Sequence, residues 1–296
     1  SILYNRAGIQ KYFILSMSEG YATRQNRLIL NTCLVKPKPL KMKLRFLGTG
    51  TSTGIPQVGC SCQVCASADP RDKRLRTSAW IETDCGESIL IDCGPDFRQQ
   101  VLSLNHFSRI SAVLLTHEHY DHVGGIDDLR PFCVFGEIPV FGDAICLEHQ
   151  RERMPYCFAE HRYPGVPKIS LHPVRPGEVF RVGKQEILPF VVMHAQLPIM
   201  GYRFGRTAYI TDMKTIPDES LPLLEGVETL IVNGLRFEPH ASHQTIEEAV
   251  AFLRRVQASH TYLVHMSHHA GLHVSLEERL PDNVHAAYDG LEIECR

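Results

Sequence analysis

The sequence has no apolar run approaching the roughly 20 residues that a helical bilayer span needs, which argues against a membrane partner. It has no excess of charge of either sign: 31 lysines and arginines face 33 acids, a net charge of −2 with neutral histidine. No global basic field points to nucleic acid, which is not an expected partner. Internal repeats and low-complexity tracts are missing too. So is the even spacing of a disulfide framework: of ten cysteines, Cys60, Cys62 and Cys65 cluster, and the others are scattered, mostly in apolar contexts. That usage fits a reducing compartment, the cytoplasm, and a metal site. What remains is an ordinary globular composition, 44% hydrophobic and 22% charged over 296 residues, enough for one large α/β domain or two modest ones.

Residues 1–41 differ in character from the rest. They read as an irregular N-terminal extension, poorly ordered, with basic residues at Lys11, Arg24, Arg27, Lys36 and Lys38. Tyr12-Phe13-Ile14-Leu15 is too short for a signal core, and Met42, just before a clean strand, reads as a natural start. Residues 42–296 form the main domain. Strands are expected at 43–47, at 78–82 and 88–92 as a hairpin, and at 112–115, 138–141, 186–193, 201–204, 207–211, 229–233, 261–264, 286–288 and 292–294. Helices are expected near 97–104, 126–130, 144–153 and 245–256. Residues 156–167 have aromatics, His161 and prolines without a period, and read as a long loop and candidate lid. The Gly48-Thr49-Gly50 turn lacks the lysine of a phosphate-binding loop and reads as a close backbone approach. Strands that later alternate with helices suggest packed sheets flanked by helices.

Thr116-His117-Glu118-His119-Tyr120-Asp121-His122 carries the most chemistry. Three histidines and an aspartate follow directly on the apolar run 112–115. Imidazoles and a carboxylate this dense at the end of a buried strand need a cation to satisfy them. His194, Asp212 and His265 each cap a later apolar strand, as ligands drawn from other strand ends would.

With these residues in place the chain resembles the metallo-β-lactamase fold superfamily, over roughly 42–296. The resemblance rests on His117-x-His119-x-Asp121-His122, then His194, Asp212 and His265 in that order. It implies an α/β fold of αββα type, two packed mixed β-sheets flanked by helices. It implies two divalent ions, manganese or zinc: His117, His119 and His194 on one, Asp121, His122 and His265 on the other, with Asp212 between them. Asp92 matches a recurrent acid that supports the ligand loops. Two such ions can hold a bridging hydroxide and stabilise the charge that develops in an in-line displacement at phosphorus.

Cys60-Ser61-Cys62-Gln63-Val64-Cys65 supplies three thiolates, and His268, three residues after His265, is the fourth ligand expected of a structural zinc. This pattern resembles the phosphoribosyl 1,2-cyclic phosphate phosphodiesterases. That branch implies hydrolysis of a small cyclic or nucleotide-like phosphodiester and commonly a homodimer, and it matches His243 to a catalytic histidine that protonates the leaving oxygen. One departure stands out: Asn233 occupies a strand end where that branch carries an acid. Arg236, His240 and His269 are candidate phosphate contacts. A transfer-RNA 3′-processing nuclease, a thioester hydrolase and a non-catalytic zinc-binding module are the competing readings.

Overall fold

The computed structural model describes residues 41–296. The expectation for residues 1–40 lies outside the described residues. Among the described residues, fourteen strands form two sheets. The first holds β1 (Met42–Gly48), β2 (Ser78–Thr83), β3 (Ser88–Ile91), β4 (Ala112–Leu114), β5 (Ile138–Gly142), β6 (Ile169–Pro173) and a late strand at Glu292–Cys295. The second holds β7 (Phe180–Val182), β8 (Gln185–His194), β9 (Leu197–Phe204), β10 (Thr207–Tyr209), β11 (Thr229–Asn233), β12 (His260–Val264) and β13 (Val284–Ala286); the late strand is β14. The orders are β14-β1-β2-β3-β4-β5-β6 and β13-β12-β11-β10-β9-β8-β7. Each sheet is antiparallel in one half and parallel in the other, with β3 to β6 parallel in the first and β10 to β13 parallel in the second.

Period-two alternation sorts the side chains into three apolar layers. In β3, Ile89 and Ile91 face the other sheet while Leu90 faces outward; in β11, Ile231 faces inward while Leu230 and Val232 face outward. The inner layer joins Leu44, Phe46 and Leu114 of the first sheet to Tyr202, Tyr209 and Val264 of the second. Outside the second sheet lies the helix Ile246–Val256, which packs Ile246, Ala249, Phe252 and Leu253 onto it. Thr245 and Glu248 close a capping box that starts this helix. The helix Ala144–Arg153, capped by Asp143, packs Cys146 and Leu147 against the first sheet. This is the expected αββα sandwich. No helix among the described residues is long and apolar enough to cross a membrane.

The differences from expectation sit at sheet edges and turns. β6 and β7 carry no apolar run because they are edge strands with exposed positions, so the pattern that marks a buried strand is missing. β9 begins at Leu197, well before 201, and the strand expected at 286–288 is Val284–Ala286. β10 ends at Tyr209 because the chain leaves the ladder for a turn at Asp212, where φ is 55°. The helix expected at 126–130 is a 3-10 stretch, Ile126–Phe135, that contains Pro131. The loop expected from 156 starts within a helical turn, Pro155–Phe158, and residues 159–168 have no regular structure.

Candidate metal centre

The candidate ligands gather at the C-terminal ends of the parallel strands and of β8, the end where open α/β sheets expose loops to ligands. β3 runs into Asp92, β4 into Thr116 and His117, β10 into Asp212 and β12 into His265, while His194 is the last residue of β8. The chain turns sharply there. Asp92, Asp212 and His265 have φ of 58°, 55° and 55°, and Ala195, after His194, has 52°. A left-handed residue costs about 1–2 kcal/mol, and such conformations gather where the surrounding structure holds a functional side chain in place. The short helix Tyr120–Val123 sits on the Cys93–Gly94 segment. A Cβ on Gly94 would lie 2.0 Å from the Asp121 carbonyl oxygen, and one on Gly125 would lie 2.0 Å from that of Gly94, so only glycine allows this approach. The glycines of the 48–54 turn serve a similar end: Gly48 and Gly50 lie against the backbone of Arg74 to Arg76, where a Cβ would not fit.

The fold brings every expected ligand of the paired site together. His117, His119 and His194 place one donor atom each within 4.8 Å of one another, and so do Asp121, His122, Asp212 and His265. His122 Nε2 is 3.2 Å from Asp121 Oδ2 and 3.3 Å from Asp212 Oδ1; His265 Nε2 is 3.1 Å from Asp212 Oδ2. His243 stands beside them, its Nδ1 3.8 Å from Asp212 Oδ2, and with His194 and Asp212 it makes a third group of close donors.

Hydrogen bonds fix which nitrogen of each ring is free. His122 Nδ1 donates to Asp92 Oδ2 at 2.7 Å, and His194 Nδ1 donates to the Ser242 carbonyl at 3.0 Å. Thr116 Oγ1 gives its one proton to Asp92 Oδ2 at 2.9 Å, so in its 3.0 Å contact with His117 Nδ1 it must accept. All three rings therefore carry hydrogen on Nδ1 and direct the Nε2 lone pair into the site. His117 Nε2, His122 Nε2 and His265 Nε2 are buried and have no hydrogen bond of acceptable geometry. Buried polar atoms rarely stay unpaired, and a divalent cation satisfies such a converging set of imidazoles and carboxylates. The residues present fit a metal pair.

The electrostatics agree. Burial works against charge on Asp121 and Asp212, yet His122 and His265 hold both carboxyls well below their ordinary range. Burial also works against charge on His122, but Asp212, Asp121 and Asp92 raise it overall: these carboxylates call for positive charge where its Nε2 points, which a proton on that nitrogen or a metal ion beside it supplies. Burial lowers His117, and burial and then His194 lower His119. His243 is pushed down to about 3, by burial first and then by His265.

The second cluster is equally well assembled. Cys60, Cys62, Cys65 and His268 bring four donor atoms within 4.8 Å of one another, and His268 Nδ1 is 3.3 Å from Cys60 Sγ and 3.2 Å from Cys62 Sγ. Backbone N–H groups of Cys65 and Gln57 donate to Cys62 Sγ and Cys65 Sγ. Donation from Cys65, then the contact with His268, lowers the Cys62 thiol to about 6, while burial pushes Cys65 up to about 11. Three sulfurs and one imidazole nitrogen in this compass match a tetrahedral structural zinc.

Some expectations move. Asn233 does not face the donors: its amide is spent on the backbone of Met213. Arg236 turns its guanidinium to the carbonyls of Glu238 and Pro239, while His240 contacts Ser242 and keeps its ring 5.0 Å from that of His243, beside the donors. His269 packs its ring against His268 at 4.1 Å. Sequence reasoning missed Thr116 and Ser242. Thr116 stands inside the motif, so its place before His117 was the available signal; Ser242 acts through a carbonyl, which side-chain identity does not report.

Comparison with known proteins agrees with this geometry. A family model described as a beta-lactamase superfamily domain matches residues 87–266. A solved diphosphatase from the PhnP family superposes with a TM-score of 0.80 at 35% identity, covering 87% of this chain and 98% of that one. An octanoyltransferase of Porphyromonas gingivalis is 48% identical over 252 residues, 85% of this chain but 51% of that protein, so the chain spans about half the length of this relative. Zinc-bound PqqB from Methylobacterium extorquens shares the fold, with a TM-score of 0.70 at 20% identity over 85% of this chain and 99% of that one. Fold, donor sets and relatives converge: the chain belongs to the metallo-β-lactamase superfamily of hydrolases, a fold family that binds divalent metals such as zinc, and within it to the PhnP family.

Proposed function

We propose that the protein is a metal-dependent hydrolase of a small phosphodiester, cyclic or nucleotide-like, of the kind represented by 5-phosphoribosyl 1,2-cyclic phosphate. The observation that carries this reading is the set of three rings locked by their Nδ1 atoms, which leaves Nε2 free on neighbouring strand ends beside the carboxylates of Asp121 and Asp212. His117, His119 and His194 would hold one ion, Asp121, His122 and His265 the other, and Asp212 would touch both; manganese or zinc suits these donors. Two such ions supply Lewis acidity, a nucleophilic water at neutral pH and neutralisation of charge at phosphorus.

The chain's own contribution is preorganisation. Asp92 orients His122, Thr116 orients His117, and the Ser242 carbonyl orients His194. His243 is the ring left to handle a proton, at Nδ1. Its environment favours the neutral form at rest. To protonate a leaving oxygen, on the face of phosphorus opposite the attacking water, it would first take up a proton from solvent. Cys60, Cys62, Cys65 and His268 would hold a structural zinc.

A second reading, acyl thioester hydrolysis, is favoured by one observation, the similarity to a protein named octanoyltransferase. One experiment separates the two. The purified protein is stripped of metal, reloaded in parallel with manganese and zinc, and assayed on bis(p-nitrophenyl) phosphate and on an octanoyl thioester, with Asp212→Ala as control. Phosphodiester turnover that metal restores and the control lacks is the expected result. Turnover of the thioester alone would replace the proposal with the second reading, and no turnover by fully loaded protein would sink both.

A further inference from the structure

Asp212 lies in a turn that has left the sheet. The last ladder bond beyond β10 runs from Ile210 N to the Ile231 carbonyl at 2.9 Å. From Thr211 onward the backbone needs other partners. At Met213, next to Asp212, one side chain provides them. Asn233 Oδ1 accepts from Met213 N at 2.7 Å, and Asn233 Nδ2 donates to the Met213 carbonyl at 2.9 Å. Asn233 is fully buried at the end of β11. Because a backbone N–H only donates and a carbonyl only accepts, the amide orientation is unambiguous.

The same turn is a junction. The Met213 carbonyl also accepts from Gln244 N at 2.9 Å, which ties the residue after His243 to the residue after Asp212. Met193, just before His194, exchanges hydrogen bonds with Thr215, 2.8 Å from Met193 N and 3.2 Å from Thr215 N, and accepts from Lys214 N at 2.7 Å. One short segment thus registers Asp212, His194 and His243 against one another, and Asn233 is the side chain that pins it.

We infer that Asn233 is a positioning residue for the paired metal site: its carboxamide sets the Asp212 carboxylate and, through Met213, the place of His243. The inference rests on the proposed metal reading of that site. The amide is specific to the task. An ionised aspartate in its place keeps the acceptor for Met213 N but turns a second oxygen toward the Met213 carbonyl, where a donor is required. An acid fits this clamp only in its protonated form, whereas an amide fits it at any pH, which gives a physical reason for the departure from the acid expected at this strand end.

The test is Asn233→Asp beside wild type. Both are stripped at the paired site and titrated with Mn2+ by calorimetry and electron paramagnetic resonance, with zinc content and the denaturant midpoint measured in parallel. Loss of an outer partner that orients a ligand weakens metal binding by about 10–100-fold, and that loss is expected with one zinc per chain retained. Unchanged Mn2+ affinity and spectrum in the folded variant would overturn the inference, and so would a lowered midpoint as the sole effect, since that marks a merely structural residue. If Asn233→Asp does not fold, Asn233→Ala, which removes both bonds, is judged by the same criteria. Wild-type protein that takes up no Mn2+ would instead overturn the metal reading of the site.

Discussion

The two donor clusters differ in what holds them. The His/Asp cluster is built on strand ends between the large apolar layers, and His117, His122, Asp212 and His265 are almost wholly buried. Its donors are held by protein: Asp92, Thr116 and Ser242 orient rings, and Asn233 pins the Asp212 turn. The Cys/His cluster joins two loops, 60–65 and 268, over a small apolar group of Ile55, Val64 and Cys65 with Leu272. Its thiols are held by backbone N–H groups of Cys65 and Gln57 and not by side chains from neighbouring strands. A site prebuilt by sheets can exchange its ions and keep its shape, whereas a site that closes two loops draws its order from the ion. The first arrangement suits turnover and the second suits folding.

The comparison can be broken by substitutions that should separate activity from stability. Asp212→Ala should lower phosphodiester turnover most, by about 10²–10³-fold, the scale seen when one group that stabilises transition-state charge is removed. It should leave the thermal midpoint near wild type; a variant that unfolds instead would show the buried cluster to be a folding element. Cys62→Ser should do the reverse. Loss of a structural metal belongs to the severe class of stability effects, roughly 3–5 kcal/mol, read by calorimetric unfolding with zinc content, while turnover per folded molecule stays within a few-fold. Unchanged stability and zinc would remove the structural assignment.

Thr116→Val is smaller and sharper. It deletes the hydroxyl that bonds Asp92 and accepts from His117, but keeps the backbone bond from Thr116 N to Asp92 Oδ1 at 2.8 Å. The expected cost is about 1–2 kcal/mol of stability and roughly 10-fold in metal affinity. Equal affinity in a titration would mean that the ring of His117 needs no orienting partner. The smallest effect is chemical. In zinc-stripped protein the lowered Cys62 thiol is a thiolate above about 6, so its alkylation should rise through that pH and level off, while Cys65, pushed up to about 11, stays slow at neutral pH. Mass spectrometry of the alkylated protein reads both. A Cys62 profile with its midpoint at the ordinary thiol value would show that the loops come apart once the metal is gone.

Much of the site was legible because its signals are local. A buried strand followed at once by a ligand-type residue is visible within five or six positions, which is why His117, His119, Asp121, His122, His194, Asp212 and His265 could be picked out. Cys60, Cys62 and Cys65 were legible for the same reason. The edge strands β6 and β7 were not, because half-exposed strands lack the apolar run that separates strand from loop. Nor was the role of Asn233, since its partner, Met213, lies 20 residues away and is engaged through backbone atoms.

By itself the sequence determined the inventory: which side chains can bind a cation, and that they follow strands, because residue type and hydrophobic period are properties of neighbours along the chain. Only the tertiary structure decided how they are used. Which nitrogen of each imidazole is free depends on Asp92, Thr116 and Ser242 arriving from other segments, and the place of Asp212 depends on an amide from the adjacent strand. Hydrogen-bond direction and ring tautomer are set by contacts across the fold, and no spacing along the chain encodes them.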